Sequence, residues 1–462
     1  MPTGRSSVGL AVTSRLAEFV CSRSISVPLR LLEVARDSLI DTVGVTIAGR
    51  GEPTVQVLRS TLGERLPSGR CSVLVNAERT DPMTASLLNG TAGHALDYDD
   101  VNDLTIGHPS VVIWPAALAI AEEVEASGRE LLDAYVVGLE VSLVVASGMD
   151  VECHYARGWH STATIGVLGA TAAAVRLWAL DPLQTRHALG VAASLASGSR
   201  QNFGTMTKPL HAGTAARNAV FAVALARNGF TADPDQLEAP LGYFAMFDGN
   251  GALGPALDDL GKSWLALQYG LNVKKYPCCY NTHRIADAAM QLVHEHRVLA
   301  SDVEHVTITV EPGGLGPLIH HRPSTGLQGK FSAEYVVSTV ILNGRVDLGS
   351  FTDEEVNRPE AHELIERMET RESRTPPSGP AAWDDGYAVV CLELTGGRSY
   401  SRRVDVPTGH CSTPMELSGL AAKFADCLEF SRAPWDAGAL LAELLDTERR
   451  PVFNGFDSMF TN

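Results

Sequence analysis

Imidazoles, ammoniums and carboxylates gather in four short stretches of the 462-residue sequence, each set in a context of small or apolar residues. The first reads Asn89-Gly-Thr-Ala-Gly-His94-Ala-Leu-Asp97-Tyr-Asp99-Asp100 and is followed by Gly107-His108-Pro109-Ser110. On a helix His94 and Asp97 share a face. The aspartates suit three uses: holding a metal, anchoring a neighbouring histidine, or solvating a loop. His108 stands at the entry to a helix, where a polar group can face a cleft. The second stretch, Arg157-Gly-Trp-His160-Ser-Thr162, sets His160 at the start of an Ala/Gly-rich helix, either as a cleft imidazole or as a surface side chain beside a cap.

The third stretch, from Ser197 to Asn218, is a polar loop running into a helix. Helix amides with Lys208, His211 and Arg217 nearby make an anion site, with Thr207 beside them. The segment lacks the Gly-Lys-Ser/Thr ending of a P-loop, so it points to a carboxylate rather than a nucleotide. The fourth reads Lys274-Lys275-Tyr-Pro-Cys278-Cys279-Tyr-Asn-Thr-His283-Arg284 and falls at the predicted domain junction, where ligand clefts are common. Adjacent lysines lower each other's proton affinity, which leaves one neutral and basic. Cys279 is either a thiolate base or an inert filler. No metal motif is complete, and there is no dinucleotide fingerprint and no Gly-x-Ser-x-Gly elbow. The set suits proton abstraction next to a carboxylate, with cations stabilising the enolate-like charge and His or Lys moving the proton.

These residues need a scaffold. Hydrophobic residues make up 45% and charged residues 20%, a globular balance that excludes a disordered chain, a coiled coil and a collagen. The net charge of −17 argues against nucleic acid and anionic membranes as partners. No stretch reaches the ~18 apolar residues of a membrane span. No secretory leader is expected, and eight cysteines without Cys-x-x-Cys spacing suit a reduced, cytoplasmic protein.

The spacing predicts a helix in which Leu32, Ala35, Leu39 and Val43 recur, capped by Ser26 with Pro28 in its first turn and ended by Gly49. It predicts further helices over 82–96, 110–127, 129–149, 162–179, 183–197 and 211–228. After Gly270 the character changes. A β-branched run at 305–310 and a hairpin over 387–406 read as strands, while 331–343 and 359–371 read as helices. The expected fold is mainly α, with a large all-helical domain built from both chain ends (1–270 and 408–462) and a smaller α/β lid inserted at 271–407.

At these clusters the sequence resembles the MmgE/PrpD family, which includes 2-methylcitrate dehydratase, cis-aconitate decarboxylase and iminodisuccinate epimerase. The matching elements are the run at 89–100, Gly-His-Pro-Ser at 107–110, Gly-Trp-His at 158–160, Asn-Phe-Gly-Thr-Met-Thr-Lys-Pro-Leu-His at 202–211, Lys-Lys-Tyr-Pro-Cys at 274–278 and Gly-Lys-Phe-Ser at 329–332. The resemblance implies a homodimer, no required cofactor and a cleft between helical domain and lid. It carries the family's active-site residues onto Asp97, His108, His160, Lys208 and Lys274. Val101 stands where lyase members often have Thr. Cys279 stands where the decarboxylase branch tends to carry His, as the epimerase branch's Cys-Tyr does.

The expectation is therefore a cofactor-independent lyase that removes water from a small hydroxy di- or tricarboxylate. Its catalytic set is Asp97, His108, His160, Lys208, Lys274 and Cys279, with Lys275, His211, Thr207 and Arg284 binding substrate and no metal. Asp97 would orient His108. The alternatives are an epimerase with Cys279 as one of two bases, a metal hydrolase using His94, Asp97, Asp99 and His108, and a non-catalytic binding protein.

Overall fold

The computed structural model describes residues 11–63, 65–249, 253–384 and 386–460. Its larger layer is a bundle of apolar helices. Leu32, Ala35, Leu39 and Val43 are all buried on the helix Leu29–Ala48. Its N-cap is Pro28, with no side-chain cap from Ser26; the fixed φ of proline starts the helix unaided. The helices Ser110–Val124, Gly128–Ser147 and Gly166–Trp178 are buried on nearly every face, which is why their amphipathic periodicity is weak. The segment expected as one helix over 162–179 is broken after Thr164 and resumes at Gly166.

The bundle is not purely helical. Cys71–Val73 (β1) and Glu78–Thr80 (β2) form a small antiparallel hairpin. Strands of three residues are too short to show alternation. Side chains from two helices complete this one. Asn89 donates to Ser72 O at 2.8 Å and accepts from Leu74 N at 2.9 Å, and Glu122 accepts from Ser72 N at 2.6 Å.

One helix crossing positions the site. Pro82–His94 packs on Thr207–Arg227, touching at Gly90 and Gly213. A Cβ on Gly213 would lie 2.2 Å from Thr91 Oγ1 and 2.3 Å from Leu87 O, so only glycine permits this approach. Lys208 and His94 each stand about one turn from the crossing, so they meet. The second helix starts at Thr207, which puts Lys208 on a rigid first turn rather than in the loop expected there.

The smaller layer is a four-stranded sheet in the order β4–β3–β5–β6, built from Val303–Val310 (β3), Met368–Glu372 (β4), Ala388–Leu394 (β5) and Arg398–Val404 (β6). The helices His283–His296 and Ala333–Asn343 pack against it and against each other. The stretch expected as a helix over 359–371 divides: Pro359–Ile365 is helical, and β4 pairs in parallel with β3 from Val306↔Met368. Met, Glu and Arg favour helix locally, but the open edge of β3 overrides that preference, and the charges suit an edge strand.

The chain crosses between layers at 271–273 and returns at 409–411. Val273 N donates to Gly409 O, and Cys411 N donates to Asn272 Oδ1. Val101 and Asn272 exchange backbone bonds, tying both crossings to the loop that follows the aspartates. The helix Leu417–Ser431 then lies along Leu29–Ala48 in the larger layer, where Lys423 pairs with the buried Asp41 at 2.6 Å.

Candidate active site

The helix Pro82–His94 ends at His94, and the chain turns through Asp97 with φ +52°. That left-handed turn, which Asp tolerates better than most side chains, takes Asp97 off the helix. Asp97 is buried between two ammoniums: Lys208 Nζ lies 2.5 Å from Oδ1 and Lys274 Nζ lies 3.1 Å from Oδ2. Burial alone would raise its carboxyl, but the two lysines outweigh this and hold it well below the usual range. Asp97 is thus a fixed carboxylate between one cation from the bundle and one from the start of the smaller layer.

The three aspartates differ in state. Asp99 places its carboxylate against Nδ1 of His94 at 2.9 Å and of His108 at 3.1 Å. Asp100 is also buried, but burial pushes its carboxyl well up, and its partner is the Ser110 hydroxyl. The imidazole of His108 is therefore oriented by Asp99. Asp97, expected in that role, lies 3.8 Å from the other ring nitrogen.

Lys208 also donates to Nε2 of His94 at 2.9 Å, and its ammonium sits 5.4 Å from the ring centres of both Phe203 and Phe331. These rings come from opposite layers and are 5.7 Å apart. His160 is 2% exposed, stacks on His94 at 5.7 Å, and contacts Nδ1 of His211 through its own Nδ1 at 3.1 Å. Burial, then Lys208, lowers both imidazoles: His160 well below its usual value, His211 to about 4. Burial, opposed by Asp99, likewise lowers His108. All three are neutral imidazoles at pH 7.

Asp97, His108, His160, Lys208 and Lys274 converge, joined by His211. Cys279 is buried in the same neighbourhood, where burial and then Asp97 push its thiol up to about 11. It is a thiol rather than a thiolate at neutral pH. The adjacent lysines diverge. Lys274 is fully buried; burial would lower its ammonium, but Asp97 and Asp99 outweigh that and raise it, so it is a cation and not a neutral base. Lys275 points the other way, partly exposed, 3.4 Å from Asp287. Arg284 donates to Asp405 O at 2.6 Å, away from the cluster. Thr207 is at the helix start, its amide bonded to Thr205 Oγ1. Arg217 is exposed beside Asn218.

His94 and Asp99 emerge as integral members of the cluster, together with two lysines not foreseen in any role, Lys330 and Lys423. The available signal was position: Lys423 falls on the buried stripe formed by Leu420, Phe424, Cys427 and Leu428, where a surface lysine has no place.

His94, Asp97, Asp99 and His108 bring one ligand atom each within 4.8 Å of one another. The donor set does not suit a divalent ion, because the Lys208 and Lys274 ammoniums already balance the two carboxylates and Lys208 occupies Nε2 of His94. Most side chains of the cluster are buried, and that of His108 is 12% exposed. Cavities of about 250 and 190 Å³ lie elsewhere, one by Leu271 and Cys411 and the other by Trp383 and His410. Thr205 and Met206, which precede Lys208 in the chain, are exposed.

The chain matches the family model of the MmgE/PrpD N-terminal domain over residues 14–255 and that of the C-terminal domain over residues 276–447. It is 28% identical over 408 residues to a cis-aconitate decarboxylase of Mus musculus, covering 85% of this chain and 82% of that one. It is 27% identical to the Homo sapiens protein of that name, covering 86% and 83%. To one from Aspergillus terreus it is 25% identical, covering 83% and 82%. With both domains matched in order across most of its length, the chain belongs to the MmgE/PrpD family, as an enzyme of the lyase class.

Proposed function

We propose that this chain is a cofactor-independent lyase that removes water from a small hydroxy di- or tricarboxylate, of the 2-methylcitrate kind, by proton abstraction next to a carboxylate. The observation that carries this reading is the meeting of Lys208 and Lys274 with three neutral imidazoles around Asp97. The substrate's carboxylates displace part of the Asp97 contact and bind the two ammoniums. Their negative charge offsets the lysine field that makes His160 a poor base, so substrate binding itself raises that basicity. His160 takes the proton and the lysines spread the enolate charge. The bound carboxylates offset the lysine field at His108 in the same way, so that it takes up a proton beside Asp99 and, as imidazolium, gives it to the departing hydroxyl. The homodimer implied by the resemblance is part of the same reading.

Epimerisation requires a base on one face of the carbon and a proton donor on the other, and the protonated Cys279 thiol is available as the donor but not as the base. Decarboxylation is the second reading, favoured by the names of the relatives. The same cations would hold the remaining carboxylates while an imidazolium protonates the carbanion left by CO₂.

The test is incubation with 2-methylcitrate, citrate, cis-aconitate and iminodisuccinate in D₂O, followed by NMR. A new conjugated double bond with water lost supports dehydration. Release of CO₂ with one deuterium incorporated moves the assignment to decarboxylation. Deuterium exchange or inversion without an unsaturated product overturns both.

A further inference from the structure

Three successive carbonyls around Asp97 are each held by a buried lysine from a different part of the chain. Lys330 Nζ donates to Leu96 O at 2.7 Å, Lys274 Nζ to Asp97 O at 2.8 Å and Lys423 Nζ to Tyr98 O at 2.8 Å. The turn lies outside any helix or strand, so these carbonyls have no ladder partner. Two of the lysines also hold the facing segment: Lys330 donates to Pro277 O at 2.7 Å and Lys423 to Lys274 O at 2.8 Å.

Lys423 also has a counter-ion in Asp41. Lys330 is different: among the described residues no carboxylate forms an ion pair with it, and its ammonium serves two carbonyls and lies 4.6 Å from the Phe351 ring centre. One carbonyl belongs to the turn that carries Asp97 and Asp99, the other to the segment that carries Lys274 and Cys279. An isolated ammonium is costly to bury. Its position joins the two halves of the site.

Resting on the lyase reading above, we infer that Lys330 is a positioning residue: by bridging Leu96 O and Pro277 O it sets the separation of Asp97 from Lys274, without touching substrate. Burial pushes its ammonium down to about 8, with Glu52, Asp97 and Cys278 opposing and Lys274 adding to the effect. The bridge therefore loses its charge as the solution turns alkaline.

Lys330→Met keeps the stem and removes the donors. In the folded variant kcat for the substrate found by the NMR screen falls by about 10²-fold while KM changes little, the cost of a small misplacement of reacting groups. Lys330→Arg retains donors for both carbonyls and does not titrate, so it recovers activity and shifts the alkaline limb of the kcat profile upward. A lowered melting temperature with unchanged kcat, or a raised KM with unchanged kcat, overturns the inference. If Lys330→Met does not fold, an alkaline limb in Lys330→Arg identical to wild type overturns it. Hydrogen exchange needs no substrate. Faster exchange in both 94–102 and 272–279 of the variant supports the bridge, and unchanged exchange refutes it. Failure of the lyase reading shows separately, as a wild-type enzyme that turns over none of the acids.

Discussion

Lys208 donates to Nε2 of His94 at 2.9 Å, and this contact sets the tautomer of His94. A lysine ammonium can only donate, so Nε2 accepts and the ring proton sits on Nδ1, directed at Asp99. Burial, with Lys208 adding to it, lowers His94 to about 3, so the ring is neutral. Lys208, His94 and Asp99 thus form one chain of donors and acceptors, and Nδ1 of His108 lies 3.1 Å from the same Asp99 carboxylate.

That chain makes Asp99 the residue that holds His108. His108→Ala should lower kcat by about 10²–10⁴-fold if His108 is the acid that protonates the leaving hydroxyl. Asp99→Asn should cost a comparable factor, because an amide can present its N–H to Nδ1 and reverse the tautomer. Steady-state kinetics on the screened acid checks both. Near-normal turnover in His108→Ala removes it from the role.

Cys279→Ser should keep turnover near the wild-type level, because the thiol is protonated at neutral pH and supplies no base. Slow labelling of Cys279 by iodoacetamide at pH 7.5, followed by mass spectrometry, checks its state. Loss of turnover in the serine variant would restore the thiol to the mechanism and reopen epimerisation.

His410 is raised to about 9, chiefly by its hydrogen bond to Asp103. A group raised in the folded state contributes stability that is fully present below its unfolded value near 6.5 and is lost as pH rises through the folded value. The stability gap between wild type and His410→Gln should therefore be widest at pH 6 and close by about pH 9.5. Urea midpoints at those two values measure it. A gap that does not change with pH contradicts the assignment.

Gly213→Ala tests the crossing that brings Lys208 to Asp97. The added methyl would meet Leu87 O at 2.3 Å, so the helices must separate. Overpacking of this kind costs about 1–3 kcal/mol of stability. Because Lys208 moves with its helix, kcat should fall as well. Thermal melts and kinetics on the same preparation read both. An unchanged melting temperature with full activity would show that the contact is loose.

Sequence alone determined the features that depend on neighbours along the chain. The helix span Leu29–Ala48 and the β5–β6 hairpin follow from periodicity and turn chemistry, and Ser110–Val124 follows from its sustained apolar run, each within a few residues. The residue types of the site were legible too, because polar clusters interrupt apolar helices. Tertiary structure decided what depends on distant partners. Met368–Glu372 became a strand because β3 offered an unpaired edge. Of Lys274 and Lys275, adjacent and identical in type, one was buried against Asp97 and the other turned toward Asp287. Asp99 took His108, and Lys330 and Lys423 found carbonyls far away in sequence. A charge is settled by whatever lies within a few ångströms of it, and in this protein those neighbours come from remote parts of the chain.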